Sequence, residues 1–156
     1  MDPTVRPATL ADAPELARLE AMGRINIADE RGGALYLGEC VQIGTEWLAV
    51  LADQSTWVYL AVIEDVPVGY LVMQHRPQRQ RGVVTHVFVE EPARELGFGD
   101  AMLRTAIGQL EALGAEGIEA TALPGDRETK NLFERCGLVA RKITVYKSLT
   151  TASSHG

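Results

Sequence analysis

Cysteine is scarce in this chain of 156 residues, which has only Cys40 and Cys136, far apart and without a Cys-x-x-Cys spacing. This pattern favours neither a zinc site nor a disulfide scaffold, and we predict no metal. No run of 18 apolar residues occurs, and the N-terminus has acids and prolines where a signal peptide has a basic start and an apolar run. These absences predict a cytoplasmic protein with no membrane association.

Positive charge is also in short supply. Lysine and arginine number 15 against 21 acidic residues, which gives a formal net charge of -6. A negative field repels a polyphosphate chain, so we predict no nucleic-acid partner. The same field would attract a cationic amine, but acidic surfaces are also common for solubility alone, and the net charge does not identify a substrate.

The composition is that of an ordinary globular protein, with 46% hydrophobic and 23% charged residues. A domain of this length buries about 70% of the surface that its unfolded chain exposes, so it can be stable without disulfide bonds. The sequence shows no internal repeat and no linker-like composition. We therefore predict one domain over residues 1–149, followed by a disordered polar tail over 150–156.

Hydrophobic periodicity predicts the element order β-α-α-β-β-β-α-β-α-β. The first helix follows a capping box formed by Thr9 and Asp12. The other predicted helices cover 34–51, 99–113 and 126–135, and the strands lie near Val5 and at 57–63, 66–73, 83–89, 118–123 and 138–149. This order predicts an α/β fold, with about four helices flanking a mixed central sheet.

A glycine-containing turn joins a strongly apolar strand to the clearest helix of the chain. The strand ends at Val89, the turn runs over 94–100, and the helix follows at once. Backbone amides at such a helix start are unpaired and carry partial positive charge, which favours a phosphate ligand. The turn lacks the Gly-Lys-Ser/Thr of a Walker A loop and is one glycine short of a Rossmann fingerprint. A plain loop remains the alternative reading of this local pattern.

The motif Arg94-x-x-Gly97-x-Gly99, with Val89 before it, resembles the central motif of the GNAT superfamily of N-acetyltransferases. The opening VRPATLADAPELARL is similar to the first strand and helix of that family. The stretch DRETKNLFERCGL, over 126–138, is similar to its closing helix. The resemblance covers nearly the whole chain up to Leu149. It implies a GNAT-like mixed sheet whose strands splay apart to admit a thioester.

The resemblance also implies that acetyl-CoA is the cosubstrate. Main-chain groups of Phe88 and Val89 would pair with the pantetheine arm. Asp126 stands where the family often has an asparagine that contacts this arm, and Phe133 stands where it often has a tyrosine near the sulfur. The turn that would grip the pyrophosphate consists of Arg94, Glu95, Leu96, Gly97, Phe98, Gly99 and Asp100.

The residues that would complete catalysis depart from the family pattern. The family's usual acid for the departing thiolate is a tyrosine, and Phe133 has no proton to give. Water, an unassisted thiolate, Tyr146 or Cys136 are the alternatives. His86 lies on the strand before the turn and is a candidate base, although period-two counting places it on the alternate face, where a packed core histidine is the simpler reading. Glu95 and Asp100 would repel a pyrophosphate.

We therefore predict transfer of an acetyl group from acetyl-CoA to the amine of a small molecule or peptide, by direct attack. A non-catalytic CoA-binding or sensing domain is the alternative, and a structural or interaction protein is a third class. The first helices, over 12–53, would form a wall of the acceptor site. Glu30, Glu39 and Glu46 in this region could attract a cationic amine, although a solvated helix face is the simpler reading of these acids. Only about twelve residues lead from Gly137 to Leu149, enough for one strand where the family commonly has a hairpin, so a homodimer that completes the sheet edge is a further hypothesis.

Overall fold

The computed structural model describes residues 3–150. The strands of these residues are β1 (Pro3–Pro7), β2 (Thr56–Ile63), β3 (Val66–Arg76), β4 (Arg81–Val89) and β5 (Gly117–Ala120). The helices are α1 (Ala13–Ala28), α2 (Gly33–Glu39), α3 (Trp47–Ala52), α4 (Phe98–Ala112) and α5 (Arg127–Arg135). Short 3-10 turns lie at Leu10–Asp12, Gly44–Glu46, Pro77–Arg79 and Glu91–Leu96. The predicted α/β class with a mixed sheet is confirmed.

The five strands form one sheet in the order β1-β2-β3-β4-β5. The first three pairings are antiparallel, whereas β4 and β5 run parallel because α4 connects them. Both faces of the sheet are covered, and side chains therefore alternate between two cores. On β2, Val58, Leu60 and Val62 pack towards α1 and α3, whereas Tyr59 and Ala61 pack towards α4.

The β4 strand contains the irregularity that matters most for the site. Its register against β3 pairs Val72 with His86 but Met73 with Val84, so Thr85 is an extra residue in a β-bulge. The parallel pairing with β5 also ends at Val84, opposite Ala120. From Thr85 to Val89 the edge of β4 that faces β5 therefore has no strand partner among residues 3–150. The two strands diverge there, as the predicted splay requires.

The start of α1 is tied to β1 by a charged cluster. Arg6 donates to both carboxylate oxygens of Asp12, at 2.8 and 2.9 Å, and Asp12 also accepts from the backbone N–H of Thr9 at 2.7 Å. The hydrogen bond from Arg6 outweighs partial burial and lowers the pKa of Asp12 to about 2. The predicted pairing of Thr9 with Asp12 is confirmed, and Arg6 is its third member.

The prediction of one helix over 34–51 is wrong, because the chain breaks between α2 and α3. Ile43 and Gly44 donate their backbone N–H groups to the carboxylate of Glu20 at 2.8 and 2.9 Å, and the Trp47 indole N–H donates to it at 3.2 Å. Gly44 has a φ of 55°, outside the helical region. A buried acid on α1 therefore binds amides that a continuous helix would need for itself.

The prediction of a strand over 138–149 is also wrong: these residues have no helix, strand or turn. The predicted strand 118–123 is shorter, because β5 ends at Ala120 where β4 diverges. The predicted tail lies outside the described residues except for Thr150. No helix within residues 3–150 has the length and apolar character needed to cross a membrane.

Candidate functional site

A cleft of about 750 Å³ opens where β4 and β5 diverge. Its floor is β4 from Val84 to Val89, one wall is formed by α1 and α2, and the opposite wall by the start of α4 and by α5. Helix α1 packs closely against β4 because Gly23 faces Phe88. A Cβ added at Gly23 would lie 3.2 Å from the Phe88 ring. The splay of the sheet therefore produces a cavity large enough for an extended ligand.

At one end of the cleft, α4 begins at the predicted glycine turn. Gly97 caps the helix with a φ of 81°, a conformation that favours glycine. The first turn closes with a hydrogen bond from Ala101 N–H to Gly97 C=O at 3.0 Å. The amides of Phe98, Gly99 and Asp100 precede this bond and have no acceptor within the helix. Such a helix start is suited to an anion.

Two contacts join this turn to α5. A Cβ on Gly99 would lie 3.1 Å from the Leu132 side chain, so glycine here permits the close packing of α4 against α5. Asp100 accepts hydrogen bonds from Arg135, the shortest at 2.6 Å, and this partner lowers the pKa of Asp100. This ion pair with Arg135 offsets the acidic charge of Asp100 near the turn.

The structure brings most of the predicted cofactor residues to the cleft. Phe88, Val89, Arg94, Glu95, Gly99, Asp100, Asp126 and Phe133 line it. Leu96, Gly97 and Phe98 do not: Phe98 is buried in the core beneath α4, and the other two are exposed outside the cleft. Asp126 caps α5, because its carboxylate accepts from Thr129 N–H at 3.1 Å and from the Thr129 hydroxyl.

Arg94 lies at the end of β4, where the pantetheine arm is predicted to pair with the main chain. Its Nε donates to the Val89 carbonyl at 2.9 Å, its guanidinium lies 5.9 Å from the centre of the Phe88 ring, and it pairs with Glu128 at 3.4 Å. Arg94 therefore bridges β4 and α5 across the splay. The Val89 carbonyl retains one lone pair for a further donor.

The candidate base His86 lies at the cleft floor but faces the core with its ring nitrogens. Its Nδ1 is 2.9 Å from the Thr85 hydroxyl, and its Nε2 is 3.7 Å from Oε2 of Glu20, beyond hydrogen-bond length. The Nε2 atom is buried and has no hydrogen-bond partner among the described residues. Burial would raise the pKa of Glu20, but the neighbouring His86 and the two backbone amides outweigh it and lower the pKa.

A tyrosine that belongs to no sequence motif stands at the bulge. Tyr36, on α2, donates from its hydroxyl to the Thr85 carbonyl at 3.3 Å and lines the cleft. Burial raises the pKa of Tyr36, so its hydroxyl keeps its proton and acts as a donor. The other candidate, Tyr146, does not line the cleft and is 56% exposed in the segment after α5. No local sequence signal marks Tyr36, because only the tertiary packing of α2 brings it to β4.

Two loops meet above the cleft. The loop between α1 and α2 approaches the loop between β5 and α5 so closely that a Cβ on Gly125 would lie 3.2 Å from the Arg31 amide nitrogen. A Cβ added at Gly32 would likewise lie 3.8 Å from the Pro124 side chain. The cleft is therefore covered at this point. Residues 3–150 contain no group of three or more histidine, cysteine or acidic side chains arranged to hold a metal ion.

A family model described as the Acetyltransferase (GNAT) family matches residues 22–138, three quarters of the chain. The chain belongs to the GNAT acetyltransferase family. The matched span includes the glycine turn, the bulged strand and α5, which together form the cleft. No curated protein matches the sequence.

Solved structures share the fold, among them two proteins named as acetyltransferases. A mutant protein from Bacillus halodurans superposes with a TM-score of 0.80 at 22% identity, covering 94% of this chain and 99% of that one. A ribosomal-protein-alanine N-acetyltransferase from Brucella melitensis gives 0.68 at 17% identity, with 96% and 100% covered. An aminoglycoside acetyltransferase from an uncultured soil metagenomic sample gives 0.68 at 15% identity, with 95% of each chain covered. At these identities the likeness shows the fold alone.

Proposed function

We propose that this chain is an acetyl-CoA-dependent N-acetyltransferase that acts on the amine of a small molecule or peptide. The observation that carries the proposal is the opened edge of β4 from Thr85 to Val89, next to the unpaired amides at the start of α4. A strand edge can pair with an extended amide-containing arm, and a helix start can hold a pyrophosphate. Acetyl-CoA has both groups in one molecule.

The polar groups around this edge fit the proposed ligand. The amides of Phe98, Gly99 and Asp100 would hold the pyrophosphate, and the free edge of β4 would pair with the pantetheine arm. Arg135 already neutralises Asp100 at 2.6 Å, so only Glu95 would oppose the phosphates among the acids of the turn. The thioester would then lie near the bulge at Thr85, under the covered part of the cleft.

In the proposed reaction the neutral amine attacks the thioester carbonyl directly. A C–N bond forms, the C–S bond breaks, and the proton lost by the amine nitrogen ends on the sulfur of CoA. Tyr36 would turn its hydroxyl from the Thr85 carbonyl to the reacting thioester and donate a hydrogen bond from the wall opposite Phe133, which replaces the donor that position 133 lacks. His86 is not assigned as the base, because its Nε2 atom is buried and faces Glu20.

Binding of acetyl-CoA is tested by calorimetry on two matched glycine variants. Gly97 and Gly114 both have positive φ, at 81° and 75°, and an added Cβ would meet nothing within 4 Å at either. Both Gly97→Ala and Gly114→Ala should therefore cost about 1 kcal/mol of stability. Only Gly97→Ala should weaken acetyl-CoA binding, about tenfold, because strain at this cap would shift the amides that follow it, whereas Gly114 lies at the far end of α4. Absence of acetyl-CoA binding by the wild type would refute the proposal.

Turnover is tested by release of free CoA thiol from acetyl-CoA in the presence of an amine panel. Tyr36→Phe should lower kcat by about tenfold to a hundredfold while leaving acetyl-CoA affinity unchanged, because it removes one donor and no apolar contact. Tyr146→Phe is the matched control and should have no effect. Acetyl-CoA binding without thiol release on any amine would favour the alternative, a CoA-binding or sensing domain, for which Phe133 is the supporting residue.

A further inference from the structure

Arg24 is a positive charge in the cleft without an acidic partner. It lies on α1, is half-buried and lines the cleft, and no carboxylate within residues 3–150 pairs with it. Its guanidinium donates to the carbonyls of Cys40 and Leu37 at 2.8 and 3.4 Å, which fixes its position at the end of α2. These carbonyls carry only partial negative charge, and the guanidinium has further N–H donors. A half-buried cation held in this way is suited to an anionic ligand.

The other arginines of the cleft lie on its opposite wall. Arg94 and Arg135 each pair with an acidic side chain, at 3.4 and 2.6 Å, on the side of α4 and α5. Arg127 is exposed at the start of α5. Within the described residues, Arg24 is therefore the cation that the part of the cleft beside α1 and α2 presents to a ligand.

The hydroxyl of Tyr70 also lacks a partner in this part of the cleft. Tyr70, on β3, lines the cleft and is only 3% exposed. Its hydroxyl makes no hydrogen bond within residues 3–150, where Nε2 of His86 is the one polar side-chain atom that is both unpaired and closed off from solvent. The Tyr70 hydroxyl is therefore open to the cleft. Burial raises the pKa of Tyr70, so the hydroxyl keeps its proton and acts as a donor.

Arg24 and Tyr70 lie beside the bulge in β4. Tyr36 connects them to it, because its hydroxyl donates to the Thr85 carbonyl at 3.3 Å. Cys40, which Arg24 binds, is one turn further along α2, with its N–H on the Tyr36 carbonyl at 2.8 Å. The positive charge of Arg24 also opposes the rise that burial causes in the pKa of Tyr36 and of Tyr70. A cation and a hydroxyl donor are therefore next to the point where the thioester is proposed to react.

Three acids lie on or behind the α1 wall and oppose an anion there. Glu20 is fully buried, does not line the cleft, and shares its charge among the three N–H groups that it binds. Asp29 and Glu30 line the cleft, but they lie just beyond the end of α1, about 8 Å along the helix axis from Arg24. These two acids would attract the cationic end of an approaching ligand, whereas Arg24 would repel it.

We propose that the acceptor is a free amino acid, whose carboxylate binds Arg24 and the Tyr70 hydroxyl while its amine faces the thioester. This inference rests on the proposed function and names the substrate class of the same site. A carboxylate accepts several hydrogen bonds and matches the fork of a guanidinium. The amine of an amino acid is only a few bonds from its carboxylate, so both groups fit between Arg24 and the bulge. A polycationic amine would leave Arg24 without a counter-charge.

The first experiment measures binding without turnover. Calorimetry compares amino acids with their primary amides on the protein alone and on the protein saturated with CoA. The amide keeps the amine and the side chain but replaces the carboxylate with a neutral group. The amino acid that binds most tightly should bind at least about tenfold more tightly than its amide. Equal affinities for every pair, or no binding of any amino acid, would overturn the proposal.

Tyr70→Phe tests the hydroxyl with little effect on the fold. The lost hydroxyl bonds nothing within residues 3–150, so the free energy of unfolding in urea should stay unchanged. In the thiol-release assay this variant should raise the KM of the amino acid about tenfold and leave the KM of the amide and of acetyl-CoA as they are. Tyr59→Phe is the matched control, because Tyr59 is 4% exposed on β2 and does not line the cleft.

Arg24→Gln tests the charge. It should lower kcat/KM for the amino acid about a hundredfold and leave the value for the amide nearly unchanged, because it removes the counter-charge of the carboxylate. Arg24→Lys keeps the charge and should restore part of the loss. Arg18→Gln is the control on the same helix, where the side chain pairs with Glu15 and Glu90 outside the cleft.

The two proposals fail in different ways. Thiol release that is equally fast with amino acids and their amides would overturn the amino-acid site and leave the transferase standing. Tight binding of an amino acid with no thiol release would support the site and refute the transferase. Variants of Arg24 and Tyr70 that slow acids and amides equally would show that these residues act only on the fold.

Discussion

At the scale of single residues, Glu20 links three parts of the chain that are distant in sequence. It lies on α1, is fully buried, and accepts hydrogen bonds from Ile43, Gly44 and Trp47. Across the core it faces His86 on the strand that floors the cleft. A buried carboxylate is stable only when such donors surround it, so this residue fixes how α3 and β4 sit against α1.

We expect Glu20→Gln to destabilise the protein by about 1 to 3 kcal/mol, because an amide NH₂ group would face N–H donors that now share a carboxylate. The free energy of unfolding in urea measures this loss. Glu15→Gln is the matched control on the same helix, where the side chain is 45% exposed and pairs with Arg18. Equal losses in the two variants would contradict the role assigned to Glu20.

Residue roles were predictable from the sequence where they depend on local backbone geometry. Gly97 has the positive φ that a glycine turn predicts, and Asp126 caps the helix it precedes. Tyr36 and Glu20 were not predictable, since each acts on a residue at least 23 positions away through packing. Periodicity carries no information on such contacts.

At the scale of elements, the joint between β1 and α1 predicts a dependence of stability on pH. The pKa of Asp12 falls to about 2 from an ordinary value of 3.8, so its pairing with Arg6 stabilises the fold above that ordinary value and is lost as the pH falls from about 5 to 2. Asp12→Asn should cost about 1 kcal/mol at pH 7, because Arg6 is 42% exposed and solvent screens the pair.

Urea unfolding of wild type and Asp12→Asn at pH 7 and at pH 2.5 measures this dependence. The difference between the two proteins should shrink at the lower pH, where the wild-type carboxyl is partly protonated in the folded state and fully protonated in the unfolded state. A difference that stays constant between the two pH values would show that the charge of Asp12 contributes nothing.

Most elements followed from the periodicity of the sequence, and the two failures have physical causes. Helical spacing over 34–51 was real, but the amides of Ile43 and Gly44 bind Glu20 instead of continuing a helix. Aliphatic residues recur at odd positions over 139–149, with Arg141 and Lys147 between them, and no strand forms within the protomer. Alternation of apolar and polar residues indicates which face of a strand would be buried, but it does not indicate which strand would pair with it.

At the scale of the whole molecule, a ligand in the cleft should stabilise every element that contributes to it. Acetyl-CoA at about 100 times its dissociation constant would add about 2.7 kcal/mol, which corresponds to a rise in Tm of about 5 to 10 °C. Thermal melts with and without acetyl-CoA measure the rise. The same concentration should give a smaller rise with Gly97→Ala than with Gly114→Ala, and equal rises would place the ligand away from the start of α4.

The agreement between strand order and chain order has a consequence for the way this protein folds. Each strand lies beside the strand that precedes it along the chain, and the β2, β3 and β4 meander occupies only residues 56–89. Local pairings of this kind form quickly because the loops to be closed are short. The sheet can therefore assemble progressively as the chain leaves the ribosome, and α5, made after all five strands, completes the second wall of the cleft.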